Sequence, residues 1–136
     1  MATDRPEDRP IDFRVFKDID SVEVTYSAGA AIITPGTINA VMYVVKRGLV
    51  AVQIEGVTVE QISDGNIFGE MGIVDPRPHT AKVYAVTDVT LYVINREQFL
   101  QLVGKAPTFS LRVMRILARR IRAMNARISK DERVFA

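Results

Sequence analysis

The chain contains no cysteine, which removes disulfide scaffolds, thiolate zinc sites and cysteine nucleophiles together. It has a single histidine, His79, so a barrel metal site built from clustered imidazoles is excluded and no metal or cofactor is expected. No serine stands in the sharp glycine-flanked turn that exposes a hydrolytic nucleophile, so an enzyme is not expected. No apolar run approaches the roughly 20 residues that span a bilayer. The polar start Met1-Ala2-Thr3-Asp4 is unlike a signal peptide. A cytoplasmic module with no membrane insertion is the expectation.

Acidic residues are missing from 107–130, where Arg112, Arg115, Arg119, Arg120, Arg122, Arg127 and Lys130 fall. Removing those seven charges from the chain's net +2 leaves −5 on the rest, so the basic character belongs to one segment. No aromatic lies among these arginines for bases to stack on, so nucleic acid is not the expected partner. An anionic membrane surface is no better a candidate, because the segment's apolar residues are needed for packing.

What the chain does have is 136 residues at 48% hydrophobic and 25% charged, enough for one domain with one core. Residues 1–12, with Pro6, Pro10 and mixed charges, read as a loose arm. Phe13, Val15, Phe16 and Ile19 suggest a short helix over 13–20. From Ser21 the period becomes two, as Val22, Val24 and Tyr26 alternate with Glu23, Thr25 and Ser27. Short apolar segments follow at 30–34, 41–45, 49–54, 57–62, 81–86 and 89–94. Gly36, Gly48, Gly56 and Gly65 punctuate them at intervals of 12, 8 and 9 residues, the spacing of an antiparallel sandwich or barrel. Pro35-Gly36 and Asp64-Gly65 are turn pairs, and Arg47-Gly48 reads as a tight hairpin.

Asn95 is placed to cap a helix carrying Phe99, Leu102 and Val103, with Gly104 ending it. Pro107 starts a longer helix expected to reach about Lys130, with a tail at 131–136. Its seam of Met114, Leu117, Ile121, Met124 and Ile128, spaced 3, 4, 3 and 4, suits either a short coiled-coil contact with a second copy or packing on the body.

Inserted in the run of strand segments, ahead of the basic helix, lies 67–83, Ile-Phe-Gly-Glu-Met-Gly-Ile-Val-Asp-Pro-Arg-Pro-His-Thr-Ala-Lys-Val. Gly69 and Gly72 let the backbone come close to a partner, with Glu70 between them. A single helical turn after Phe68 would offer free N–H groups to an anion. Pro76 and Pro78 would then end it and force an extended return through Thr80 and Ala81. An acid held in such a place needs a positive partner.

This stretch resembles the phosphate-binding cassette of cyclic nucleotide-binding domains, whose motif runs Phe-Gly-Glu-(Leu/Met)-(Ala/Gly), a short loop, then Pro-Arg-(Ser/Ala/Thr)-Ala and Val. The resemblance extends over roughly Phe13 to Ile128, and Leu117-Ala118-Arg119-Arg120-Ile121 looks like the dimer helix of catabolite-activator-type regulators. It implies a mainly β fold with added helices, a jelly-roll-like antiparallel β-roll of about eight strands over 21–95, a short helix before it and helices over 96–130. It implies cyclic AMP or cyclic GMP as ligand, with Phe68, Gly69, Glu70, Met71, His79, Thr80 and Ala81 at the cassette. By the same likeness Arg120 approaches Glu70, Asn125 meets the purine edge, and the 107–130 helix forms a homodimer. Those regulators continue into a helix-turn-helix domain, and with only 131–136 after the helix none is expected here.

His79 departs from the family, which has an arginine there. An arginine fork gives two charge-assisted bonds to phosphate at any pH, whereas histidine gives one and is mostly neutral near pH 7. A bond to a charged group contributes about 1.5–3 kcal/mol, so affinity would fall roughly 10- to 100-fold. Arg77 replaces it only if the loop shifts register. Two readings follow: a cyclic nucleotide sensor that signals by moving its last helix, or a degenerate roll serving as a dimerisation or docking module.

Overall fold

The computed structural model describes residues 11–135, with side chains to residue 127; most of the expected arm and the Ile128 side chain of the seam fall outside the described residues. A 3-10 helix, Phe13–Asp18, opens the body. Asp12 caps it by accepting from the Arg14 N–H at 3.0 Å. The Arg14 side chain bonds the same carboxylate and holds its pKa at about 2. Ile11, Phe16 and Ile19 are buried, so residues 11 and 12 belong to the body rather than to the arm.

Eight strands follow: β1 (Val22–Tyr26), β2 (Ala31–Ile33), β3 (Val41–Arg47), β4 (Val50–Ile54), β5 (Val57–Ile62), β6 (Ile67–Phe68), β7 (Lys82–Ala85) and β8 (Val89–Asn95). They form two four-stranded antiparallel sheets, ordered β1-β8-β3-β6 and β2-β7-β4-β5. The helices are α1 (Met71–Val74), α2 (Arg96–Lys105) and α3 (Pro107–Phe135). This is the β-roll with flanking helices that the sequence implied.

Strand β3 is buried on both faces over Met42 to Val45, which is why Val41–Val45 is apolar without interruption. Side chains alternate across a strand. Met42 and Val44 join Phe16, Ile94, Leu102 and Phe109 under the helices, while Tyr43 and Val45 join Val50, Phe68 and Leu91 inside the roll.

Arg47-Gly48 is not a hairpin. Strands β3 and β4 belong to different sheets, so the pair is a corner at which the chain changes layer. Gly48 has φ +108°, and a Cβ there would stand 2.6 Å from the Asp88 carbonyl oxygen. Its N–H donates to Asp64 Oδ1 at 2.8 Å, so the corner is tied to the turn after β5. The tight hairpin joins β4 to β5 through Glu55-Gly56, whose φ values of 51° and 78° are those of a type I′ turn.

Asn95 and Gln98 cap α2 reciprocally. Gln98 Nε2 also donates to the Ile19 and Asp20 carbonyls at 3.0 Å, fastening α2 to the first helix. The helix passes through Gly104 to Lys105 instead of stopping at the glycine. A Cβ at Gly104 would meet nothing within 4 Å. Gly104→Ala is therefore expected to stabilise the fold by about 0.5–1 kcal/mol. Thermal denaturation checks this, and a lower melting temperature would contradict it.

Proline at the first turn suits the start of α3. Neither glycine nor proline follows Pro107, so nothing stops the helix near Lys130 and it continues to Phe135. Phe109 and Val113 are buried and Ile116 and Leu117 half-buried, whereas 121–127 are exposed. Among the described residues no helix is long and apolar enough to cross a membrane.

Candidate functional site

The site grows from the end of β6. Phe68 stacks on Tyr43 with ring centroids 4.8 Å apart, and both are buried in the roll. Phe68 is thus a supporting wall beneath the loop. Burial, helped by Tyr26, raises the Tyr43 pKa and keeps that hydroxyl neutral. Gly69 crosses this ring with φ +76°, and a Cβ on it would sit 3.3 Å from both the Tyr43 ring and the Val41 carbonyl oxygen.

Helix α1 follows at once. The Gly72 and Ile73 N–H groups donate to the Gly69 and Glu70 carbonyls at 3.0 Å, and the amides ahead of them have no acceptor within the turn, as at any helix start. Gly72 lies directly on the loop between β2 and β3, where a Cβ would collide with the Asn39 carbonyl oxygen. Ile73 is buried with Leu102, Phe109 and Val113. Arg96 of α2 donates to the Ile73 carbonyl at 2.9 Å, so α1 is held against the helical layer.

The return loop is pinned by the same β2–β3 loop. His79 N–H donates to the Thr37 carbonyl, and Gly36 N–H donates to the His79 carbonyl, both at 2.8 Å. Thr34 to Thr37 form a turn with Pro35 and Gly36 at its centre; Gly36 has φ +86° and Thr37 N–H returns to the Thr34 carbonyl at 3.2 Å. A cavity of about 270 Å³ remains between α1 and the return, lined by Met71, Gly72, Arg77, His79, Thr80 and Ala81 among others. His79 Nε2 is buried without a hydrogen-bond partner among the described residues. An unpaired buried polar atom costs about 1–3 kcal/mol. Arg77 reaches this cavity with no register shift, because 75–81 is not a strand and side-chain alternation does not apply. It pairs with Asp75 at 2.9 Å.

Glu70 turns the other way, toward α3. Its side chain is 14% exposed and that of Arg120 is 19% exposed, with Arg120 Nη1 3.1 Å from Glu70 Oε1. Arg120 Nε also pairs with Glu60 Oε1 of β5 at 2.9 Å, and Nη2 donates to the Ile67 carbonyl. One guanidinium thereby joins α3, β5 and the end of β6.

Beside Arg120, a cavity of about 670 Å³ opens between the β4–β5 hairpin and α3, walled by Val52, Val59, Ile62, Ile116 and Met124. Asn125 is exposed and is not among its lining residues. Successive helical residues point about 100° apart, and it is Met124, one position earlier, that faces the cavity. Of the residues singled out from sequence, Met71, His79, Thr80 and Ala81 share the small cavity and Glu70 and Arg120 meet, while Asn125 stands apart. Glu60 and Arg96 were not singled out, and Met124 was read as part of the helix seam and not as a cavity wall. The small cavity thus has polar residues on its wall, and the larger one is mainly apolar with Arg120 at its side.

A family model for the cyclic nucleotide-binding domain matches residues 23–106. The chain is 30% identical over 102 residues to the cyclic AMP receptor protein of Thermus thermophilus, covering 71% of this chain and 47% of that one. It is 40% identical over 77 residues to the cGMP-dependent 3',5'-cGMP phosphodiesterase A of Dictyostelium discoideum, covering 57% of this chain and 9% of that one. The chain thus spans less than half the length of these curated relatives. Among solved structures, the Thermus thermophilus catabolite activator protein superposes with a TM-score of 0.76 at 24% identity, over 94% of this chain and 63% of that one. A cyclic nucleotide-binding domain from Methylobacillus flagellatus gives 0.70 at 23% identity, over 80% and 66%. At these identities the structural likeness is one of fold.

Proposed function

The chain belongs to the cyclic nucleotide-binding domain family, and from that premise we propose that it is a sensor that holds cyclic AMP or cyclic GMP between the roll and α3. The observation that carries this reading is the Glu70–Arg120 pair, with Arg120 on the wall of the larger apolar cavity and Met71, next to Glu70 in the chain, on the wall of an anion-sized one. The phosphate takes the small cavity, against the amides of Gly69, Glu70, Met71, Thr80 and Ala81 and the side chain of His79. Glu70 accepts from the ribose hydroxyl, and the purine enters the slot under α3. A ribose on Glu70 competes with Arg120, so ligand changes what holds α3 to β5 and to the end of β6. Movement of that helix between two positions is the output. Exposed Leu111, Met114 and Ile121 on α3 support pairing with a second copy along that helix.

Melting the chain with 1 mM cyclic AMP or cyclic GMP tests the reading. A dissociation constant on the order of 10–100 µM would stabilise the fold by about 1.4–2.7 kcal/mol, and Glu70→Gln is expected to abolish most of that shift. The second reading, a roll without ligand, is favoured by one fact: Arg120 already has two acids and a carbonyl as partners. No shift with either nucleotide in the wild type, together with a shift in His79→Arg, would establish it.

A further inference from the structure

We propose that His79 contacts the ligand phosphate as an imidazolium, so that the chain takes up a proton when it binds cyclic nucleotide and binds more weakly as pH rises. This rests on the nucleotide reading above and adds its regulation. The backbone of His79 is fixed on both sides by Gly36 and Thr37, and the side chain borders the small cavity with Nε2 buried and unpartnered. The fold thus sets His79 at the wall of an anion-sized space and, among the described residues, supplies no hydrogen-bond partner for its Nε2.

The surroundings leave that charge to the ligand. The β2–β3 loop, residues 34–40, carries no titratable side chain, nor does α1. On the return loop, Asp75 and Arg77 pair with each other at 2.9 Å. Glu70 is engaged by Arg120. Lys82, at the start of β7, lies over the Tyr84 ring at 5.6 Å. Among the described residues no carboxylate is bonded to His79, and Asp75, which lines the same cavity, is engaged by Arg77, so the anion that would hold its proton is the one that enters the cavity. A cyclic phosphodiester stays singly negative through the neutral range, whereas a histidine changes charge between pH 5 and 8. His79 is the chain's only histidine, so a change in affinity within that range has one side chain to come from. The protonated form binds and is depleted as pH rises, so affinity falls in that direction.

Calorimetric titration of the whole chain with cyclic AMP and cyclic GMP at pH 6 and pH 8 tests this, alongside His79→Arg and His79→Gln. The wild type should bind about tenfold more tightly at pH 6 than at pH 8. His79→Arg should bind tightly and His79→Gln weakly, each with no pH dependence. At pH 7 the wild-type heat should differ between phosphate and Tris buffers in proportion to the proton taken up. Wild-type binding that is the same at both pH values, or that keeps its pH dependence in His79→Gln, overturns the proposal and leaves the nucleotide reading standing. Binding by His79→Arg alone overturns it in favour of a ligand-free roll. Binding by none of the three at either pH removes the nucleotide reading as well.

Discussion

Arg120→Ala is expected to destabilise the fold by about 2–3 kcal/mol, because it leaves a half-buried acid facing another with no cation between them. Glu70 is 14% exposed and loses its only charged partner among the described residues. Glu60 is 36% exposed, so water screens part of its loss, and most of the effect comes from Glu70. The Ile67 carbonyl loses a donor too. For a chain of this size the melting temperature should fall by about 8 °C. The sign of the cause can be checked by removing the stranded charges: Arg120→Ala combined with Glu60→Gln and Glu70→Gln should recover more than half of the loss. An Arg120→Ala protein that melts within about 1 °C of the wild type would show that α3 is held by its apolar face alone. A triple variant no better than the single one would show that the loss is one of packing along the arginine stem.

The strands were legible because their signals are local. Val22, Val24 and Tyr26 alternate with polar residues, and the segments 57–62 and 89–94 coincide with β5 and all but the last residue of β8. Asn95 is a cap by its own chemistry, and Gln98 three residues on completes it. Arg47-Gly48 failed for the matching reason. A glycine pair between two apolar runs specifies that the chain bends, but not whether the second run returns on the same sheet or crosses to the other. That choice depends on the Asp88 carbonyl and the Asp64 carboxylate, 40 and 16 residues from Gly48 in sequence.

The site divides in the same way. The glycines, Glu70 and the proline-bounded loop were visible as a cluster along the chain. Arg120 lies 50 residues from Glu70, and only the family resemblance joined them. Glu60 gave no signal of its own, since it is one acid on an alternating strand and nothing local says which helix crosses it. Met124 and Asn125 differ by a single step of helical phase, and the phase of α3 is set where Phe109 and Val113 enter the core, well upstream of either.

Gly72→Ala should be the most damaging single methyl in the cassette. Gly72 is not in the left-handed region, so the objection to a side chain is space: the new carbon would run into the Asn39 carbonyl oxygen, which is backbone and cannot rotate aside. Overpacking of this kind costs about 1–3 kcal/mol. Relief requires α1 and the β2–β3 loop to part. That loop is also what holds His79 through Gly36 and Thr37, so the strain reaches the side chain on the far side of the cavity. The variant should therefore lose stability and ligand together, melting about 5–10 °C lower and binding cyclic nucleotide at least tenfold more weakly, whereas Gly104→Ala shifts stability the opposite way and leaves binding alone. A Gly72→Ala protein that keeps wild-type affinity while melting lower would mean that His79 is positioned without help from α1. One that keeps both would mean that the loop yields freely, and that the seat for the phosphate is shaped only when the ligand arrives.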